Sequence, residues 1–140
     1  MYGSLDISTS GMIAQRDRLT AISANIANRN SVMPDGTPYR ARRVHFAPGD
    51  PTATTQQGKR WGVHVAKVEI DQSPLNMRWD PSNALALKQG PFAGYVMEPN
   101  VNPVVEQINA IQAARAYEAN AVAAESTKQM AAQALRLLVG

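Results

Sequence analysis

The chain contains no cysteine, only 6% aromatic residues and no long apolar run, and these absences exclude several classes of protein. Without thiols there are no disulfide scaffolds, thiolate metal sites or cysteine nucleophiles. No apolar run exceeds four residues, whereas a membrane-spanning helix needs about 20. The first residues have no basic leader followed by an apolar core, so we expect no cleaved signal peptide and no direct membrane insertion.

Catalytic motifs are missing as well. The sequence has no glycine-rich phosphate-binding motif, no zinc-protease motif and no nucleophile elbow. His45 and His64 lie in predicted strands, and we interpret both as exposed or hydrogen-bonded strand residues. The sequence therefore predicts no enzyme activity, no cofactor and no metal site.

A short basic run is the strongest candidate for nucleic-acid binding. Arg40, Arg42 and Arg43 could neutralise several phosphates. No nucleic-acid-binding motif surrounds them, Asp35 and Asp50 flank the run, and the net charge of the chain is only +3. We therefore interpret the run as a solvated face or a protein interface and expect no nucleic-acid partner.

Residues 1–31 have the spacing of an amphipathic helix. We expect this helix to run from Ser10 to Arg29, about 30 Å, with Ser8 or Ser10 as its N-cap. Gln15 is either a polar contact that sets the register between helices or a partly exposed residue. Alternating steps of four and three residues give a coiled-coil seam: Leu5, Ser8, Met12, Gln15, Leu19, Ile22 and Ile26.

Residues 32–99 differ in composition, with clustered proline and glycine and short β-branched runs. They predict a small antiparallel β domain whose best strand candidates are Thr37–Phe46 and Trp61–Ile70. The alternation of the second strand changes phase after Val65, as a β-bulge would allow. A polar loop is expected over residues 49–58.

Residues 100–140 predict one long helix, with Asn102 as N-cap and Pro103 as the first helical residue. Such a helix would be about 54 Å long, whereas a compact globule of this size is only about 37 Å across. Consecutive steps of three through Ala114 and Tyr117 predict a stammer. The predicted apolar stripe is Val104, Ile108, Ile111, Ala114, Tyr117, Ala121, Ala124, Lys128, Ala131, Leu135 and Leu138.

The predicted fold class is α+β and elongated: N- and C-terminal helices pack as a coiled-coil limb, and a small antiparallel β domain is inserted between them. Alanine-rich stripes bury little apolar area per residue, so two such helices alone would be held weakly. This favours a helical limb that assembles with helices of other chains. A self-contained helical hairpin beside a β domain is the alternative.

Several motifs, in the order in which they occur here, resemble those of bacterial flagellar rod and hook proteins, and most closely the C-type proximal-rod proteins of the flagellar basal body. The resemblance covers nearly the whole chain. It rests on these segments: Asp6-Ile7-Ser8, Ala14-Gln15-Arg16-Asp17-Arg18-Leu19, Ala24-Asn25-Ile26-Ala27-Asn28, Pro38-Tyr39-Arg40, Gly94-Tyr95-Val96, Pro99-Asn100-Val101 and Ala114-Arg115-Ala116-Tyr117-Glu118-Ala119-Asn120.

The resemblance implies a structural subunit without catalysis. Such a chain is exported uncleaved through the flagellum-specific channel and assembles in the periplasm into a drive shaft that encloses the export channel. Its implied partners are other copies of itself, other rod proteins, membrane-ring and rod-adaptor proteins, and the export apparatus. Alternatives are a sister rod protein of another tier, a helical adaptor that binds partner helices and, more distantly, a nucleic-acid-binding module.

The candidate functional residues are therefore those of an assembly interface on the two helices. Small and amide side chains near the end of the first helix permit close approach or hydrogen bonding to neighbouring backbones, and a tyrosine suits a helix interface. The predicted set is Met12, Gln15, Leu19, Ile22, Asn25, Ile26, Asn28, Ile108, Ile111, Arg115, Tyr117, Asn120, Val122, Leu135 and Leu138.

Overall fold

Two long helices flank two short antiparallel sheets in the computed structural model, which describes residues 2–50 and 61–139. The predicted α+β class, with terminal helices on either side of a small β region, is confirmed. Most of the polar loop predicted at residues 49–58 lies outside the described residues. The elements are α1 (Tyr2–Ala27), β1 (Arg42–Pro48), β2 (Val63–Ile70), β3 (Asn76–Trp79), β4 (Tyr95–Glu98) and α2 (Pro103–Val139).

The start of α1 differs from the prediction. The helix already includes Tyr2, so Ser8 and Ser10 lie inside it and neither is the N-cap. The Ser10 hydroxyl donates to the Ile7 carbonyl at 2.7 Å and accepts the Val63 N–H at 3.0 Å. A serine can therefore occupy the helix interior because both the preceding turn and strand β2 satisfy its hydroxyl.

The start of α2 is as predicted. Asn102 is the N-cap, and its Oδ1 accepts the Val104 N–H at 3.0 Å. Its carbonyl accepts the Glu106 N–H at 3.0 Å, which closes the first helical turn. Pro103 is the first helical residue, where it lacks only an N–H that the helix does not use. The 37 residues of α2 give a length of about 55 Å.

The two helices pack antiparallel along small side chains. Asn25 meets Glu106 at one end of the pair, and Gly11 lies against Asn120 further along. A Cβ added to Gly11 would come within 2.8 Å of the Asn120 amide, so glycine is what lets the backbones approach there. The α2 residues buried in this packing are Ala113, Ala124 and Thr127.

The stripe predicted on α2 is wrong over its first turns. At 100° per residue, Val104, Ile108 and Ile111 lie on the side of α2 opposite Ala113, and they are 62%, 52% and 55% exposed. The buried positions of α2 are occupied by small residues instead, Ala113, Ala124 and Thr127, which share one side of the helix. Close helix approach selects alanine and threonine for the seam, which leaves the larger apolar side chains outside it.

The C-terminal end of α2 extends beyond α1. The antiparallel register places Tyr2 near the level of Gln129, so residues 130–139 form an overhang with no part of α1 beside them. Leu135 and Leu138 continue the same side of the helix as Ala124, yet they are 62% and 82% exposed.

The sheet of β1 and β2 packs against α1. β1 pairs antiparallel with β2, and the register shift between His45 and Phe46 leaves Ala66 as an extra residue in β2. This is the bulge that the phase change predicted. β1 begins at Arg42 rather than Thr37, and β3 pairs with β4 in a separate two-stranded sheet.

Neither helix contains, within the described residues, an apolar stretch that could span a membrane.

Gly62 generates the first prediction, because it combines a left-handed backbone (φ 100°) with a close contact: an added Cβ would overlap the Ser10 hydroxyl. Gly36 is the matched control, since its φ is 83° and nothing lies within 4 Å of an added Cβ. Gly36→Ala should lower the free energy of unfolding by about 1–2 kcal/mol, the cost of the left-handed backbone. Gly62→Ala should cost about 1–3 kcal/mol more, because Ser10 must move. Urea unfolding followed by circular dichroism measures both; equal losses would contradict the contact.

Candidate assembly interface

A buried amide at the end of α1 joins both helices to the first strand. The Asn25 side chain is 1% exposed. Its Oδ1 accepts the Arg42 N–H at 2.8 Å and the Tyr39 hydroxyl at 3.0 Å. Its Nδ2 donates to the Arg42 carbonyl at 2.9 Å and to the Glu106 carboxylate at 3.1 Å. We refer to these four residues as the Asn25 network; it uses both donors and both lone pairs of one amide.

A second amide holds the same stretch of chain from the other side. Asn100 Oδ1 accepts the Ala41 N–H at 2.8 Å. Its Nδ2 donates to the Asp71 carbonyl at 3.1 Å and to the Ser73 hydroxyl at 2.9 Å. Residues 39–42 therefore run between two asparagine side chains, one from α1 and one from the segment that leads into α2.

Charged and aromatic groups complete this junction. Burial raises the pKa of the Tyr39 phenol, which keeps it a neutral donor to Asn25. The Ser73 backbone N–H, and then the Arg43 guanidinium, hold the pKa of Asp71 below its ordinary value. Arg43 Nη2 lies 2.6 Å from that carboxylate, and Arg40 donates to the Ser73 carbonyl at 3.0 Å. Two arginines of the basic run are thus engaged inside the subunit.

About half of the predicted interface residues are packed within the subunit. Ile22 is 6% exposed and Asn25 is fully enclosed. The Gln15 Oε1 is buried and has no hydrogen-bond partner in the part of the chain that the structure describes. The residues of this group are buried or half-buried: Met12, Gln15, Leu19, Ile22, Asn25, Ile26, Asn28 and Asn120.

The other predicted residues are exposed on α2, in three places. Leu135 and Leu138 belong to the overhang, and Tyr117, 39% exposed, borders the helix seam. The rest lie on the side turned away from α1, where Val122 is 70% exposed. We define this far face as Ile108, Ile111, Arg115, Glu118, Val122 and Glu125. Three of these six residues are exposed apolar side chains, and they make the far face a candidate surface for interaction.

Sequence reasoning missed Tyr39, Arg42, Asn100 and Glu106 as a connected group. A signal was present in the motifs that carry the family resemblance, because Asn25, Tyr39 and Asn100 belong to three separate motifs that meet here. Their spacing along the chain gives no indication that they are neighbours.

In residues 2–50 and 61–139 there is no group of three or more potential metal ligands.

Comparison with protein families defines the class. Residues 5–32 match the family described as "Flagella basal body rod protein". Residues 93–137 match the family described as "Flagellar basal body rod FlgEFG protein C-terminal". The two matches fall on α1 and on most of α2, which are the helices that the Asn25 network joins. The chain is thus a flagellar rod protein with paired terminal helices.

Individual relatives define the protein more closely. The chain is 41% identical over 150 aligned residues to the flagellar basal-body rod protein FlgC of Borreliella burgdorferi, covering 100% of this chain and 99% of the relative. It is 39% identical over 137 residues to the FlgC proteins of Salmonella typhimurium and Escherichia coli O157:H7, covering 94% of this chain and 93% of each relative. The chain belongs to the FlgC family and is a structural subunit of the flagellar basal-body rod.

The Asn25 network generates a prediction about stability. Asn25→Ala leaves the Arg42 backbone groups and the Tyr39 hydroxyl without partners, so the free energy of unfolding should fall by about 3 kcal/mol. Asn28→Ala is the matched control: its half-buried side chain makes one hydrogen bond, to the Ala24 carbonyl, and should cost less than about 1.5 kcal/mol. Denaturant unfolding measures both. A loss at Asn25 no larger than at Asn28 would contradict a central role for the network.

Asp71 generates a prediction about pH. Its folded pKa lies below the ordinary 3.8, so the stabilisation is present above that pH and is lost as the pH falls through the depressed value. Asp71→Asn keeps an acceptor for Ser73 but removes the charge beside Arg43, and should lower the free energy of unfolding at pH 7 by about 1 kcal/mol or less. The difference between the two proteins should shrink as the pH is lowered from 7 through the depressed pKa of Asp71. A difference that does not change over this pH range would contradict the assignment.

Proposed function

We propose that this rod subunit polymerises through its terminal helices, and that neighbouring subunits bury the far face and the overhang of α2. The exposed apolar side chains of α2 support this most directly. Val122, Leu135, Leu137 and Leu138 are between 62% and 85% exposed in the single chain. Their contact with water is unfavourable, and covering them in a helix interface removes that cost.

The proposed organisation follows the division of the sequence. Residues 1–31 and 100–140 form the helical part that assembles, and residues 32–99 form a β domain attached to its side. The Asn25 network supports this arrangement because it fixes both helices and the start of β1 to one another. Forces applied to the helices are then carried into the β domain through hydrogen bonds rather than through a flexible linker.

We further propose the cellular setting. The subunit lies in the periplasmic part of the basal body, is exported through the flagellar export apparatus without a cleaved signal, and transmits torque as part of a shaft around the export channel. It has no catalytic activity. Its partners are other copies of itself, other rod proteins, and membrane-ring and rod-adaptor proteins. Membership of the FlgC family supports this setting.

Charge introduced on the far face tests the proposal. Ile111→Asp places a carboxylate where a neighbouring subunit is expected to exclude water, which costs several kcal/mol if the charge is unpaired. Bacteria that carry this variant in place of the native chain should export it yet build no rod beyond it and fail to swim. Motility agar and electron microscopy of isolated basal bodies measure the effect.

Val68→Asp is the control, because Val68 on β2 and Ile111 on α2 are both 55% exposed in the single chain. The same substitution at the same exposure should leave rods and swimming intact if assembly uses the helices. Normal rods with Ile111→Asp would contradict the proposal. So would loss of rods in both variants while both proteins remain folded.

A further inference from the structure

A cleft lies between the two helices and the first strand, where the side chains do not fill the space. Its volume is about 630 Å³. It lies beside the end of α1, the start of α2 and strand β1, and its apolar wall includes Ile22, Phe46 and Val105. Arg18 and Arg42 stand in the same wall, and we call this the arginine cleft.

The charged side chains that line the cleft leave it with a net positive charge. Three arginines (Arg18, Arg42 and Arg43) are opposed by two carboxylates, of which Asp71 is paired with Arg43 and Glu106 is hydrogen-bonded to the neutral amide of Asn25. Arg18 and Arg42 have no carboxylate within 4 Å among the described residues. The cleft therefore combines an apolar wall with two arginines whose guanidinium groups are free to bind an acidic partner.

The same chain carries a surface of the opposite character. Glu118 and Glu125 form no ion pair or side-chain hydrogen bond within the parts of the chain that the structure describes. They are seven residues apart on α2, so they share one side of the helix at about 10 Å spacing. Val122, 70% exposed, lies between them. An exposed apolar side chain between two carboxylates is complementary to a cleft that has an apolar wall and two arginines.

We propose that the arginine cleft of one subunit receives Glu118, Val122 and Glu125 of a second copy of this chain. The contact cannot form within one subunit, because Glu118 lies twelve residues, or about 18 Å, beyond the cleft residue Glu106 along a continuous helix. This inference rests on the proposed polymerisation. It specifies the surface of the neighbouring subunit that part of the far face contacts. Charge-assisted hydrogen bonds beside a desolvated apolar side chain set the register of such an interface.

Charge reversal tests the pairing in assembled rods. Arg42→Glu and Glu125→Arg, each alone, should abolish swimming, and the two together should restore it, because the charges are exchanged across the interface. Lys88→Glu is the matched control: it reverses one exposed cation that does not line the cleft and should leave motility unchanged. Two single variants that both swim, or a double variant that does not recover, would overturn the pairing.

Cross-linking identifies the occupant. The chain has no cysteine, so Arg42→Cys with Glu125→Cys introduces the only two thiols. A short bismaleimide is the appropriate reagent, because the Cα atoms of an arginine–glutamate pair are further apart than a disulfide permits. In isolated basal bodies the reagent should join two copies of this chain. Cross-linking to a different protein, or none in intact rods, would overturn the assignment.

The outcome distinguishes this inference from the proposed function. Intact rods that depend on Ile111 but show no cross-link between residues 42 and 125 would overturn the cleft assignment alone. Rods that form normally with Ile111→Asp would overturn helix-mediated polymerisation itself. Circular dichroism of the purified single variants shows that each folds before its motility is interpreted.

Discussion

The buried side chain of Asn25 is the interaction on which the rest of the structure depends. The Asn25 amide hydrogen-bonds both the backbone N–H and the backbone carbonyl of Arg42, as a neighbouring strand would. The same amide donates to the Glu106 carboxylate on α2. No other neutral side chain of this size offers two donors and an acceptor with two lone pairs. The angle between the helices and the β region is therefore set by directional hydrogen bonds, which apolar packing alone does not provide.

Close approach of the helices determines what remains on the surface. Because Gly11 lies against Asn120 and the α2 seam is made of alanine and threonine, the larger apolar residues occupy the opposite side and the overhang. The subunit gains little from burying small side chains and leaves apolar area in water. A subunit built in this way is more stable beside neighbours, which fits the rod family to which the chain belongs.

Local signals in the sequence predicted local structure. The Asn102 cap, Pro103 and the bulge after Val65 depend on neighbouring residues, and the structure confirms them. The predicted N-cap of α1 and the first turns of the predicted α2 stripe are wrong, because a distant strand satisfies the Ser10 hydroxyl and because the seam contains small residues rather than Val104, Ile108 and Ile111. The Asn25 contacts span 17 and 81 residues of sequence, and no periodicity encodes such distances.

In the assembled rod, we expect neighbouring subunits to cover the far face of α2. The accessibility of a single thiol at position 122 tests it directly, because the chain has no cysteine of its own. With Val122→Cys, a maleimide should label the purified subunit quickly and the assembled rod at least tenfold more slowly. A thiol introduced by Val68→Cys should react at similar rates in both. Equal labelling at position 122 in the free subunit and in intact rods would contradict the account.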